Sequence, residues 1–159
     1  MERKATIDDI DSIYDIYMDE YNNPYMTFEI MDKVSFIPVY KDILASNDIY
    51  VYEIDGKIAS TYRIQNKQFR ISHISYFGSF AMHPNFRGKG YGKKIMDSII
   101  KRLQTEGKKR IELFVVSDNK RAIRFYQKFG FVQEGIMKYF LKRENSPEYL
   151  DELIMAKYL

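Results

Sequence analysis

The chain of 159 residues contains no cysteine. Disulfides, a thiolate nucleophile and cysteine-bound zinc are therefore excluded, and the composition suits a reducing compartment. Histidine is almost as scarce. His73 and His83 are the only two, so a histidine-rich centre is not expected and no metal is assigned. No apolar run approaches the ~18–20 residues that span a bilayer, so no membrane partner is expected. Met1-Glu2-Arg3-Lys4 has no apolar leader segment behind it, which predicts a cytoplasmic protein. Neither sign of charge dominates, and a net charge of +3 is too small to indicate nucleic acid by itself. What remains is an ordinary globular composition, 45% apolar and 30% charged, of a length that fits a single domain over residues 1–159.

Glycine is concentrated where it matters. The stretch Phe80-Ala81-Met82-His83-Pro84-Asn85-Phe86-Arg87-Gly88-Lys89-Gly90-Tyr91-Gly92-Lys93-Lys94 leads from an apolar run through a His-Pro turn into a basic loop of alternate glycines. A helix follows, with Tyr91, Ile95, Ile99 and Leu103 on one stripe and Met96 and Ile100 widening it. Glycines leave the backbone bare, and the first N–H groups of a helix have no internal partner and sit at the positive dipole end. Arg87, Lys89, Lys93 and Lys94 add charge there, and such a loop binds phosphate or pyrophosphate. The P-loop pattern does not fit, because Lys93 stands where its second glycine belongs. The dinucleotide fingerprint fails too, since Gly92 arrives one position early. The hydrolase elbow and the H-E-x-x-H metal motif are absent.

Arg87-Gly88-Lys89-Gly90-Tyr91-Gly92 resembles the pyrophosphate loop R-x-x-G-x-G/A of the GNAT N-acetyltransferase superfamily. Residues 119–131, with Asn119, Ala122, Phe125, Tyr126, Lys128, Gly130 and Phe131, resemble that superfamily's second signature, N-x-x-A-x-x-F-Y-x-K-x-G-F. The two stand in the expected order, and the likeness runs from about Ile49 to the C-terminus. It implies a mixed, mostly antiparallel twisted sheet with a splayed central strand pair and helices on both faces. It implies acetyl-coenzyme A as co-substrate, held by the main chain of Phe80, Ala81 and Met82, by the loop Arg87, Gly88, Lys89, Gly90, Tyr91, Gly92 and Lys93, and by the Asn119 amide. It assigns Tyr126 as the acid that protonates the leaving thiolate. A phenol with a pKa near ~10 suits that task at neutral pH.

The periodicity gives the remaining elements. Residues 3–6 read as a strand, and Asp8, Asp9 and Asp11 open a helix carrying Ile10, Ile13, Tyr14, Tyr17 and Met18 on one face. A second helix is predicted over 31–45, kinked or restarted at Pro38. Strands over 49–54 and 57–66 meet at Asp55-Gly56, a hairpin signal. A long strand is predicted from Phe69 to Met82, with Gly78 marking a bulge or a close approach. Residues 111–116 read as an interior strand, Ser117, Asp118 or Asn119 caps a helix that stops at Gly130, and 131–142 with 149–158 read as an antiparallel pair.

For the acceptor, the strand before the loop carries no acid, so Glu112 and His73 are the candidate bases. An α-amine, with a pKa of about 7.7–8.0, supplies neutral nucleophile with less help than a lysine-type amine near 10.4. A small-molecule amine such as an amino acid is the expected acceptor. The segment from His73 to Met82 and Asp151-Glu152-Leu153-Ile154-Met155 also resemble bacterial amino-acid and antibiotic-type members of the superfamily. The acceptor side is expected near Tyr17, Tyr21, Tyr25 and Phe28, with Asp19, Glu20 and Glu29 attracting a cation. A peptide or ribosomal-protein N-terminal acetyltransferase, a non-catalytic acyl-coenzyme A sensor and a basic nucleic-acid module remain as other readings. Nothing in the sequence excludes a homodimer.

Overall fold

The computed structural model describes residues 1–159 as two compact units that share the chain's central strand. Seven strands form a mostly antiparallel sheet accompanied by four α-helices.

The first unit comprises residues 1–65 and 78–101. It holds β1 (Glu2–Lys4), α1 (Ile10–Tyr17), α2 (Lys33–Ala45), β2 (Ile49–Ile54), nearly all of β3 (Lys57–Asn66), the C-terminal half of β4 (Ile74–Met82) and most of α3 (Tyr91–Thr105). Its strands run in the order β1-β2-β3-β4. Asp55 and Gly56 both take left-handed backbone, φ 51° and 72°, as a tight hairpin between β2 and β3 requires. The apolar positions of α1 and α2 meet β2 and β3 in one core of Ile13, Ile16, Tyr17, Phe36, Tyr40, Ile43, Ile49, Val51 and Ile58. Phe36 is its hub, with ring centroids 5.5 Å from Tyr14 and 5.9 Å from both Tyr17 and Tyr40. Pro38 lies inside α2 without ending it. The carbonyl left without its helical donor belongs to Val34, an exposed residue, where solvent can satisfy it.

The second unit comprises residues 66–77 and 102–159, with strand order β4-β5-β7-β6. It adds β5 (Arg110–Val116), α4 (Lys120–Lys128), β6 (Val132–Lys142) and β7 (Tyr149–Tyr158). The predicted strand start at Phe69 is displaced: Phe69–Ile71 is a 3-10 turn, Phe69 is left-handed at φ 56°, and pairing begins at Ile74. Within this unit β4 runs parallel to β5, with Ile74, Ser75 and Tyr76 opposite Arg110, Ile111 and Glu112. β5 and β7 are antiparallel in unbroken register from Arg110↔Tyr158 to Val116↔Glu152. The outer pair β6–β7 slips twice, between Gln133 and Gly135 and between Met137 and Leu141. At the second slip Asp151 accepts hydrogen bonds from the Tyr139 N–H at 3.1 Å and from Lys138 Nζ at 2.8 Å.

Candidate active site

In the first unit β4 delivers the chain to the glycine loop. Ser79 adopts φ 52° inside the strand, so the break in alternation falls one residue beyond Gly78. Of the three residues assigned to the coenzyme arm, Ala81 is buried while Phe80 and Met82 are half-buried. The Met82 carbonyl accepts from Asn22 Nδ2 at 3.1 Å, which ties the end of β4 to the segment after α1. A 3-10 turn over Pro84–Phe86 follows, and then the loop itself. Gly88 and Gly90 are left-handed, φ 73° and 79°, and a Cβ on either would meet nothing within 4 Å. The N–H groups of Gly88, Lys89 and Gly90 donate to no backbone carbonyl. Tyr91 then opens α3, whose Ile95, Met96, Ile99 and Leu103 are buried as the stripe predicts.

The basic side chains are less free than their number suggests. Arg87 forms an ion pair with Asp19 and lies 4.7 Å from the centre of the Tyr21 ring. Its Nε is buried and has no hydrogen-bond partner. Lys89 bends back to the Asn85 carbonyl at 2.8 Å, and Lys93 pairs along the helix with Asp97 at 2.7 Å. Asp19 and Tyr21, expected on the acceptor side, are therefore engaged with the loop arginine. Tyr17 and Phe28 stack at 5.6 Å in the core, and burial pushes the Tyr17 hydroxyl up to about 12. The pieces suit an anion: open space over two glycines, three donors without backbone partners, and an orphaned guanidinium N–H.

In the second unit Asn119 caps α4, its Oδ1 accepting from the Ala122 N–H at 3.1 Å. That bond uses the oxygen and leaves the amide NH2 for another partner, so capping and ligand contact are compatible. Tyr126 is buried, 6.5 Å from Phe77, 5.5 Å from Phe125 and 5.7 Å from Phe131 between ring centres. Burial raises its pKa, so the phenol holds its proton at neutral pH. Of the two candidate bases, Glu112 stands 3.5 Å from Arg110 and 3.9 Å from Lys67, and His73 is exposed.

The structure adds to these candidates an acid that no sequence motif marks as a base. Glu152 on β7 is 8% exposed, and its Oε2 is buried with no hydrogen-bond partner. It pairs across the ladders with Val116 on one side and Met137 on the other. Burial among them pushes its carboxyl up to about 7.

A strand running into a bare, left-handed glycine loop that opens an amphipathic helix is an α/β arrangement suited to a phosphate group. The comparisons narrow this. The sequence profile described as the acetyltransferase (GNAT) family matches residues 10–131. An uncharacterized N-acetyltransferase of Methanocaldococcus jannaschii is 25% identical over 147 residues, covering 88% of this chain and 64% of its own. The L-amino acid N-acetyltransferase AaaT of Escherichia coli is 33% identical over 106 residues, covering 65% of this chain and 64% of its own. The chain thus spans less than two thirds of the length of these two relatives. Among solved structures, a phosphinothricin acetyltransferase of Sinorhizobium meliloti in complex with acetyl-coenzyme A superposes with a TM-score of 0.74, at 21% identity, over 100% of this chain and 88% of that one. The chain belongs to the GNAT acetyltransferase family.

Proposed function

We propose that this protein transfers the acetyl group of acetyl-coenzyme A to a primary amine of a small metabolite, with amino acids the first candidates. On this reading residues 1–159 act as one catalytic domain in the cytoplasm, where the co-substrate is made and used. The observation that carries it is the Gly88-Lys89-Gly90 loop, whose donors lack backbone partners and whose glycines leave room above them. A pyrophosphate seated there takes the loop amides and the first turn of α3. The main chain of Phe80, Ala81 and Met82 and the free amide NH2 of Asn119 receive the coenzyme's arm. Arg87, Lys89 and Lys93 contribute charge, and Tyr91 and Gly92 contribute the helix start.

The chemistry then needs three events. A neutral amine attacks the thioester carbonyl carbon, the carbon–sulfur bond breaks, and the thiolate leaves with a proton. Tyr126 gives that proton, and the attacking nitrogen, which must lose one to become an amide, restores the phenol. The buried, protonated state of Tyr126 supports this role.

A thiol-release screen with acetyl-coenzyme A tests the proposal across amino acids, polyamines, aminoglycosides and N-terminal peptides. Release with an α-amine is the expected result. Coenzyme binding without release from any amine identifies a sensor instead. Steeply salt-dependent binding to nucleic acid, competed by the coenzyme, would reassign the loop.

A further inference from the structure

Glu152 presents an energetic contradiction. A carboxylate lying between Val116 and Met137 with an orphaned Oε2 is worse placed than the leucine or methionine that would fill the same volume. A carboxylate in that position calls for a cation, and four cations of the unit are held by other carboxylates. Arg110 grips Glu134 through two bonds of 2.8 and 2.5 Å and reaches Glu112 at 3.5 Å. Lys67 faces Glu112 at 3.9 Å, Lys138 is bound to Asp151 at 2.8 Å, and Arg143 is paired with Asp118 at 2.7 Å.

The register shows what stands around it. Residues opposite each other in a ladder share a face, and faces alternate along a strand. Glu152 therefore lies on the face that carries Val116, Phe114 and Glu112 of β5 and Ile154 of β7. Tyr76 of β4 shares this face through its pairing with Glu112, and its ring lies 5.1 Å from Phe114. Phe77, the next residue of β4, points to the other face, and that is the side on which Tyr126 packs. The unit thus carries a buried, unpaired carboxyl on one face of β4–β5–β7 and a buried phenol on the other. Beside the carboxyl stands an aromatic pair whose Phe114 is 37% exposed.

We infer that Glu152 is the carboxylate that receives the acceptor's ammonium group and takes its proton before acetyl transfer. The inference rests on the acetyltransferase reading above and supplies the base that the strand before the loop lacks. The step balances simply. R–NH3⁺ gives one proton to the Glu152 carboxylate, leaving a neutral amine and a carboxylic acid. The amine forms the carbon–nitrogen bond as the carbon–sulfur bond breaks, and its second proton leaves by way of Tyr126 to the thiol. Glu152 then returns its proton to solvent, so the net products are amide, free thiol and one proton. The chemistry favours an amine with an apolar or aromatic portion, which lies against Phe114 and Tyr76 while its charge meets Glu152. A carboxyl poised near 7 also matches an α-ammonium of about 7.7–8.0 better than a lysine-type one near 10.4. The titratable groups on this face of the neighbouring strands are Glu112, four residues from Val116 along β5, Arg110 and Tyr158 beyond it, and Tyr76 of β4, while the β6 residue opposite Glu152 is the uncharged Met137.

The test uses the intact protein and its Glu152→Gln variant. The first measurement follows the side-chain carboxyl carbon of labelled glutamates by NMR, with and without amines from the screen. Glu152 is expected to titrate near 7 alone and at lower pH when an acceptor is present. A titration that no amine moves overturns the inference. The second measurement is kcat/KM against pH. Glu152→Gln should lower kcat/KM by about 10²-fold or more at pH 7. It should also shift the acidic limb to the amine's own pKa, with coenzyme affinity unchanged. Turnover and pH profile preserved in the variant would overturn the role of Glu152 while leaving the acetyltransferase reading intact. A carboxyl that responds to amines in a protein that neither binds acetyl-coenzyme A nor releases thiol would do the reverse.

Discussion

Replacing Glu152 by glutamine should make the protein more stable at alkaline pH and leave it nearly unaltered in acid. Glutamine keeps the shape of the protonated side chain and cannot ionise. In the folded protein the carboxyl is raised from its usual 4.5 to about 7 because burial removes the charged form from water. A rise of that size corresponds to about 3 kcal/mol, at roughly 1.4 kcal/mol per pH unit. The sign follows from the direction. With the folded pKa above the unfolded one, the neutral acid's contribution is complete below about pH 4.5 and is lost as pH rises through 7. The variant has no such loss. For a chain of this length about 3 kcal/mol displaces the melting temperature by roughly 6–12 °C. Melting curves of both proteins from pH 4.5 to 9 should therefore diverge, the variant melting higher above pH 7. A difference that stays constant across that range would refute the argument. A carboxylate retained at such a cost is the pattern of a site where function opposes stability.

The coenzyme loop supplies the next expectation. Gly90→Val places a branched side chain at φ 79° and into the open space over the loop. It should weaken acetyl-coenzyme A binding by at least about tenfold in calorimetry, and normal binding in a folded variant would displace the site. Tyr126→Phe keeps the ring among Phe77, Phe125 and Phe131 and removes the hydroxyl. It should lower kcat by about 10²-fold with coenzyme affinity and melting temperature nearly unchanged, whereas an unchanged kcat with chemistry rate-limiting would exclude it. Asp19→Asn releases the anchor of Arg87. The coenzyme KM should rise by about threefold, matching roughly 0.7 kcal/mol for a partly exposed pair, and more than the acceptor KM. The reverse ranking would return Asp19 to the acceptor side.

Features set by neighbours in the chain were legible early. The stripe on α3 and the Asp55-Gly56 hairpin depend on spacing alone and the structure reproduces both, while of the three cap candidates Ser117, Asp118 and Asn119 it selects Asn119. The strand starts at Ile74 and not near Phe69, because the β-forming side chains of Phe69 and Ile71 occupy a 3-10 turn that Phe69 enters left-handed. The Asp19–Arg87 pair joins positions 68 apart, and Tyr21 joins them only through the fold. Glu152 was hidden for a different reason. In Asp151-Glu152-Leu153-Ile154-Met155 the two acids look alike, yet Asp151 binds Lys138 and the Tyr139 N–H while Glu152 is buried with its Oε2 unpaired. The difference lies in β-sheet register, which gives Asp151 its partners and leaves Glu152 buried without one.

The slipped register of β6 has a consequence for how copies of this protein behave at high concentration. β6 is an eleven-residue strand at the sheet margin, with Val132, Ile136, Tyr139 and Phe140 exposed along it. A straight strand of that length and character would template itself onto an identical edge and grow into fibres. The break between Met137 and Leu141 prevents a continuous template. Tyr139 turns left-handed at φ 53°, and Asp151 captures its N–H from within the sheet. Lys138 within the break and Lys142 just beyond it place charge along this edge. Edge-to-edge docking would find no continuous template here, and the carboxylate of Asp151 that seals the bulge is what holds that break in place.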